Sequence, residues 1–87
     1  MKSTNIRFED GLDYGVLRSD SPKVVQTVCM QSQISPEIVI LDIGEGAGSI
    51  RAQIPLTLLA QGFLFPGNKG LRKMADSGGN GSLHISH

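Results

Sequence analysis

The chain has 87 residues, of which 39% are hydrophobic and 18% are charged, and its net charge by residue count is zero. This length allows one small folded domain. A neutral chain with few aromatic residues lacks the electrostatic attraction and the stacking surfaces that nucleic-acid binding uses, and no apolar stretch is long enough for a membrane span or a signal peptide. We therefore expect no nucleic-acid partner and no membrane association.

The charges are unevenly divided along the chain. Residues 1–45 carry seven acidic and four basic residues, whereas residues 46–87 carry four basic residues and one acidic residue. This asymmetry would hold two halves of one fold together or bring two copies together head to tail. Cys29 is the only cysteine, so no intramolecular disulfide can form, and we expect a cytoplasmic protein.

The N-terminal part predicts a hairpin of two short strands. Residues 6–8 and 14–18 are the strands, and Asp10 and Gly11 between them favour a tight turn. The sheet is therefore expected to begin within the first twenty residues.

The next segment, residues 23–31, is open between two structures. Ser21 followed by Pro22 is a helix-start signal, and the valines recur on one helical face. Four of the nine residues are β-branched, which favours a strand instead. Of the two, the strand is favoured.

Residues 37–43 predict a strand in the middle of the sheet. The continuous apolar run over residues 38–41 is typical of a strand that is covered on both faces. Residues 49–54 alternate between apolar and polar side chains, which predicts a half-buried strand that pairs with it as a hairpin.

The stretch between these two strands resembles the first motif of class I S-adenosylmethionine-dependent methyltransferases. Residues 38–48 read IVILDIGEGAG, an apolar strand followed by closely spaced glycines. The resemblance implies that Asp42 closes the strand and that three glycines let the backbone approach the ligand: Gly44, Gly46 and Gly48. These four residues are the candidates for cofactor binding.

A hairpin turn is the favoured interpretation of the same glycines. A nucleotide-binding loop leads directly into a helix, but residues 49–54 alternate as a strand does, and Pro55 would fall in the second turn of such a helix. The chain also has no acidic residue between Glu45 and Asp76, where a ribose-binding carboxylate is expected.

The C-terminal half predicts short helices. Residues 55–62 combine a proline at the start, leucines and a closing glycine, and residues 68–76 form a second, basic helix with Leu71 and Met74 facing inward. The glycine- and serine-rich residues 77–87 are expected to be a flexible tail.

Two further groups have side chains that bind ligands in other proteins. Lys69, Arg72 and Lys73 would hold a phosphate or an acidic partner, or would be the solvated face of a helix, which is favoured. His84 and His87 would share a metal only if the tail were helical, and no further ligands complete such a site. We therefore expect no bound metal.

Together these elements predict an α+β fold over residues 1–76. It has a small antiparallel β-sheet of about four or five strands, connected as hairpins or a meander, with one or two short C-terminal helices. Residues 77–87 are the flexible tail.

No group of residues indicates catalysis or a cofactor, so we expect a non-enzymatic protein-interaction or regulatory module. Residues 56–59 and 63–65 are more apolar than one small sheet can hide, which predicts a surface for a protein partner or for self-association as a homodimer. The alternative is a small-ligand or nucleotide binder that uses residues 42–48.

Overall fold

The computed structural model describes residues 2–86, with the backbone alone for Ser86. Within this range the strands form one antiparallel sheet in the order β3-β4-β2-β1-β5. The predicted α+β class with a small antiparallel sheet is confirmed. In chain order the elements are β1 (Ser3–Phe8), β2 (Tyr14–Ser19), α1 (Pro22–Ser32), β3 (Val39–Ile43), a 3-10 turn (Glu45–Ala47), β4 (Ile50–Pro55), α2 (Leu56–Ala60), α3 (Lys69–Ser77) and β5 (Gly81–Ser86).

The core lies between one face of the sheet and the three α-helices. Alternate residues of the inner strands are buried, as Ile6, Leu17 and Ala52 show, and the register places these three side by side. The buried side chains of α1, α2 and α3 belong to the same hydrophobic cluster. The domain therefore has two layers, and the other face of the sheet is open to solvent.

Residues 23–31 form a helix, so the strand favoured for them is wrong. Pro22 is in the first turn of α1, where its missing N–H costs nothing, and the valines at positions 24, 25 and 28 are all buried. Burial of this one face against the sheet outweighs the weak preference of β-branched residues for strands.

The strand predicted at residues 37–43 exists, but its predicted central position is wrong. β3 is an edge strand that pairs with β4 alone, and Val39, Leu41 and Ile43 are all exposed. All the helices cover one face, so this sheet has no position at which both faces of a strand are buried. The strand in the middle is β2, whose alternating pattern fits a sheet with one covered face.

The flexible tail predicted for residues 77–87 is wrong for the part that the structure describes. Gly78 closes α3 with a φ of 66°, and β5 then pairs with β1 along its length. Leu83 and Ile85 are half-buried and pack against the core. Two alternating apolar side chains and the free edge of β1 are enough to order this segment.

The remaining predicted elements are confirmed. β1 and β2 form the N-terminal hairpin, with Gly11 at a φ of 84° in the turn. β4 pairs with β3, α2 follows Pro55, and α3 places Leu71 in the core with Met74 half-buried. Asn68 caps α3 by accepting a hydrogen bond from the Leu71 N–H at 3.0 Å.

Candidate functional site

The open face of the sheet carries a row of polar side chains, one from each strand. The register pairs Asp42 with Arg51 and Arg51 with Arg18. On its other side Arg18 pairs with Asn5, which pairs with His84. Because adjacent strands lie about 4.8 Å apart, the row extends roughly 19 Å across the sheet. We call these residues the polar row: Asp42, Arg51, Arg18, Asn5 and His84.

Two arginines stand directly opposite each other at the centre of the polar row. Arg18 and Arg51 are both exposed on the open face. Among residues 2–86 neither guanidinium has an ion pair within 4.0 Å or a hydrogen bond. Arg7, which lies on the same face, differs because its Nε is 3.9 Å from Glu9 Oε1. The polar row therefore holds two neighbouring guanidiniums without a protein partner.

A depression of about 600 Å³ lies over the polar row. All five residues of the row line it, together with the hydroxyl-bearing residues Ser3 and Ser49. Its acidic groups are Asp42, at one end of the row, and Asp20. The Asp20 carboxylate already accepts a hydrogen bond from the Ser3 N–H at 2.6 Å. The depression thus presents hydrogen-bond donors around a pair of positive charges.

A second surface follows the exposed edge of β3. Within residues 2–86, the large hydrophobic side chains that remain exposed all lie in one stretch of the chain, from the end of α1 to the end of β3. An edge strand also presents backbone N–H and C=O groups that no neighbouring strand uses. We call this group the edge patch: Met30 (62% exposed), Ile34 (76%), Val39 (46%), Leu41 (43%) and Ile43 (44%).

The charged residues in the chain segment that carries the edge patch are all acidic, and across the sheet Asp42 faces the basic side chain of Arg51 on β4. No lysine or arginine occurs between Lys23 and Arg51. Three carboxylates within this stretch are exposed: Glu37, Asp42 and Glu45. The edge patch therefore combines apolar side chains with acidic ones.

The two edges of the sheet differ in what they expose. On β5 the apolar side chains, Leu83 and Ile85, are half-buried toward the core, and Ser82 and His84 lie on the open face. On β3 three of the four apolar side chains are exposed, and Ile40 alone is half-buried against the core. A bulge at Leu41, between Ile40 and Asp42, interrupts the ladder with β4. Bulges and charges of this kind protect an edge from indiscriminate aggregation.

The glycine-rich segment closes the β3–β4 hairpin and leads into a strand. Gly46 has a φ of 67°, and a Cβ on Gly44 would overlap the Ser49 hydroxyl. Gly44 N–H donates to the Ser49 carbonyl at 2.9 Å, which continues the hairpin. Gly48 follows the 3-10 turn, and Asp42 lies in β3 opposite Arg51. Turn geometry and close packing account for Gly44 and Gly46, and the helix N-terminus that the methyltransferase resemblance implies is not formed here.

The apolar segments predicted to form an interface contribute to the core instead. Leu59 is fully buried, and the other apolar side chains of residues 56–60 and 63–65 are partly buried against the core. The prediction that these segments form an exposed patch is therefore wrong. Helices α2 and α3 pack against each other and hide this surface.

Of the other predicted groups, the basic residues of α3 belong to neither the polar row nor the edge patch. The histidine pair contributes one residue to the polar row. Lys69, Arg72 and Lys73 are exposed on α3, and Arg72 Nε donates to the Ala60 carbonyl at 3.3 Å. His84 belongs to the polar row, while His87 lies outside the described residues. Across residues 2–86 no cluster of three or more potential metal ligands occurs. In the same range no helix has the length and apolar character to cross a bilayer.

Sequence patterns did not identify the polar row or the full edge patch. Arg18 and Arg51 each occupy a polar position in an alternating strand, which is common and carries no signal alone. Their juxtaposition depends on β2 pairing with β4, two strands separated by α1 and β3. The run of acids without a basic residue over residues 24–50 was the available signal for the edge patch.

Comparison with known protein families, with curated proteins and with solved structures finds no match for this chain. No relative therefore supplies a function.

Proposed function

We propose that this chain is a non-enzymatic protein-interaction module that binds an extended segment of a partner protein along β3. The observation that supports the proposal is the edge patch, which comprises the exposed large hydrophobic side chains of residues 2–86 and has three of its five members on the edge strand β3. A partner strand would continue the sheet with backbone hydrogen bonds and would cover Val39, Leu41 or Ile43 with its own side chains. The free Cys29 is compatible with a cytoplasmic location.

The acidic residues of this chain segment favour a partner segment that contains lysine or arginine, since Arg51 lies on the inner neighbour β4 and not on the open side of β3. A basic side chain opposite Asp42 would form a cross-strand pair that contributes about 0.2–1 kcal/mol. A second copy of this chain would instead bring the same acids, Glu37, Asp42 and Glu45, close to each other. A heterologous segment of alternating apolar and basic residues therefore fits this edge better than a homodimer does.

A random decapeptide display library selected on the immobilised chain tests this proposal. We expect the selected peptides to be rich in β-branched and basic residues. Their synthetic versions should shift the backbone amide resonances of Val39–Ile43. Replacing Leu41 with Lys should weaken their binding about tenfold, because it removes roughly 1.4 kcal/mol of apolar contact and adds a like charge.

The Ser82→Lys variant is the matched control, since it adds the same charge to β5 at the opposite edge of the sheet. Its peptide affinity should equal that of the unmodified chain. Peptides that bind both variants equally, or that shift resonances away from β3, would contradict the proposal. Sedimentation at high protein concentration tests the alternative occupant, because a dimer that Leu41→Lys abolishes would mean that the edge pairs with a second copy.

A further inference from the structure

We propose that the polar row is a binding site for a phosphate-type oxyanion, held between the guanidiniums of Arg18 and Arg51. This site lies on the open face of the sheet and does not depend on the partner segment proposed for β3. The ligand class is inorganic phosphate or the phosphate group of a small phosphomonoester.

The two arginines occupy positions on the sheet that bring like charges close together. Directly opposite residues on paired antiparallel strands have their Cβ atoms about 5 Å apart, and like charges there destabilise the sheet. Arg18 and Arg51 occupy such positions, and neither has an ion pair or a hydrogen bond among residues 2–86. Arg7 on the same face lies near Glu9. A bound dianion would remove the repulsion specifically at the arginine pair.

The arginine pair and its neighbours in the depression offer several hydrogen-bond donors. Each guanidinium can donate two parallel N–H bonds to one oxyanion, and two guanidiniums balance the charge of a phosphate, which is about −1.5 to −2 near neutrality. Asn5 is next in the row, and Ser3 and Ser49 also line the depression. A carboxylate carries a single charge and is satisfied by one guanidinium, so this arrangement favours phosphate.

The acidic residues of the depression limit its affinity for phosphate and provide a further variant with which to test the site. The Asp20 carboxylate accepts a hydrogen bond from the Ser3 N–H and also lines the depression. Asp42 is cross-strand to Arg51 but forms no ion pair with it within 4.0 Å. Asp42 therefore repels an incoming anion, and its removal should improve binding.

Titration with sodium phosphate at constant ionic strength, followed through amide and arginine Nε–H resonances, tests the site. We expect saturable shifts at Asn5, Arg18 and Arg51. Arg18→Gln and Arg51→Gln should each weaken binding about tenfold or more, the effect of losing charge-assisted hydrogen bonds. Arg18→Lys, which keeps the charge but not the paired donors, should weaken it less. Asp42→Asn should strengthen it by up to about fivefold.

The Arg7→Gln variant is the control for general electrostatics, because it removes one positive charge from the same face outside the polar row. Its phosphate affinity should stay within about twofold of the unmodified chain. Comparing the affinities of phenyl phosphate and inorganic phosphate shows whether the site prefers a phosphomonoester or the free anion. The proposal would be overturned if the resonance shifts do not saturate or if acetate produces the same shifts. It would also be overturned if Arg18→Gln and Arg51→Gln leave the shifts unchanged. Far-UV circular dichroism verifies that each variant is folded.

Discussion

Replacing Ser19 with Ala is expected to destabilise the chain by about 2–3 kcal/mol. The Ser19 hydroxyl is buried at the end of β2, 2.8 Å from Thr4 Oγ1 and 3.3 Å from the Ser3 carbonyl oxygen. It also accepts a hydrogen bond at 3.1 Å from the N–H of Ser21, the N-cap residue that precedes α1. Each such bond contributes about 1 kcal/mol, and a buried N–H left without a partner costs about 1–3 kcal/mol. The hydroxyl thus links β1, β2 and the start of α1.

Urea unfolding followed by far-UV circular dichroism measures this loss, since the chain has no tryptophan and a single tyrosine for fluorescence. For a domain of this size the expected loss lowers Tm by about 10–20 °C. Ser77→Ala is the control, because that exposed hydroxyl donates only to the Met74 carbonyl at 3.2 Å. The control should change stability by less than about 0.5 kcal/mol. If Ser19→Ala is no less stable than Ser77→Ala, the hydroxyl does not connect these elements as described.

Two further substitutions test the packing of the sheet. Gly15→Ala is expected to lower the free energy of unfolding in urea by about 1–3 kcal/mol, because a Cβ there would lie 3.1 Å from Ile6 Cγ2. Gly67→Ala is the control and should leave the stability unchanged, because its Cβ would meet nothing within 4 Å. Equal stability of these two variants would contradict the tight contact. Leu83→Asp should lose about 2 kcal/mol because the side chain packs against the core, whereas Ser82→Asp on the open face should lose little. Equal losses in both would mean that β5 does not face the core as described.

The fold class and most elements could be predicted from sequence because their signals are local. Alternation at residues 49–54 reflects burial on one face of β4, and the turn of the first hairpin needs the glycine at position 11. The close of the β3–β4 hairpin followed from the strand pattern after Gly48 and from Pro55, which excluded a helix there. Such patterns depend on residues that are close in sequence, so the elements that they predict are found in the structure.

The predictions that proved wrong concern segments whose structure depends on packing partners far away in the sequence. The apolar run at residues 38–41 predicts burial on both faces, but whether helices cover both faces depends on the whole layer arrangement. Residues 23–31 became helical because the sheet offered a surface for their valines. The sequence of β5 contains two apolar side chains behind glycines, and only pairing with β1 makes it a strand. The polar row likewise depends on the order of all five strands, which no local pattern specifies.

Asp42 links the two proposed surfaces. The glycine-rich motif singled it out as a ligand residue, but in the structure it is both the outermost member of the polar row and part of the strand along which a partner would add. A phosphate at the arginine pair would lie about 7 Å away, so the Asp42 charge opposes its charge of about −1.5 to −2 by roughly 1 kcal/mol in water. A lysine or arginine of a partner strand would neutralise that charge. The partner segment would then raise phosphate affinity by up to about fivefold, and linkage requires phosphate to raise partner affinity by the same factor.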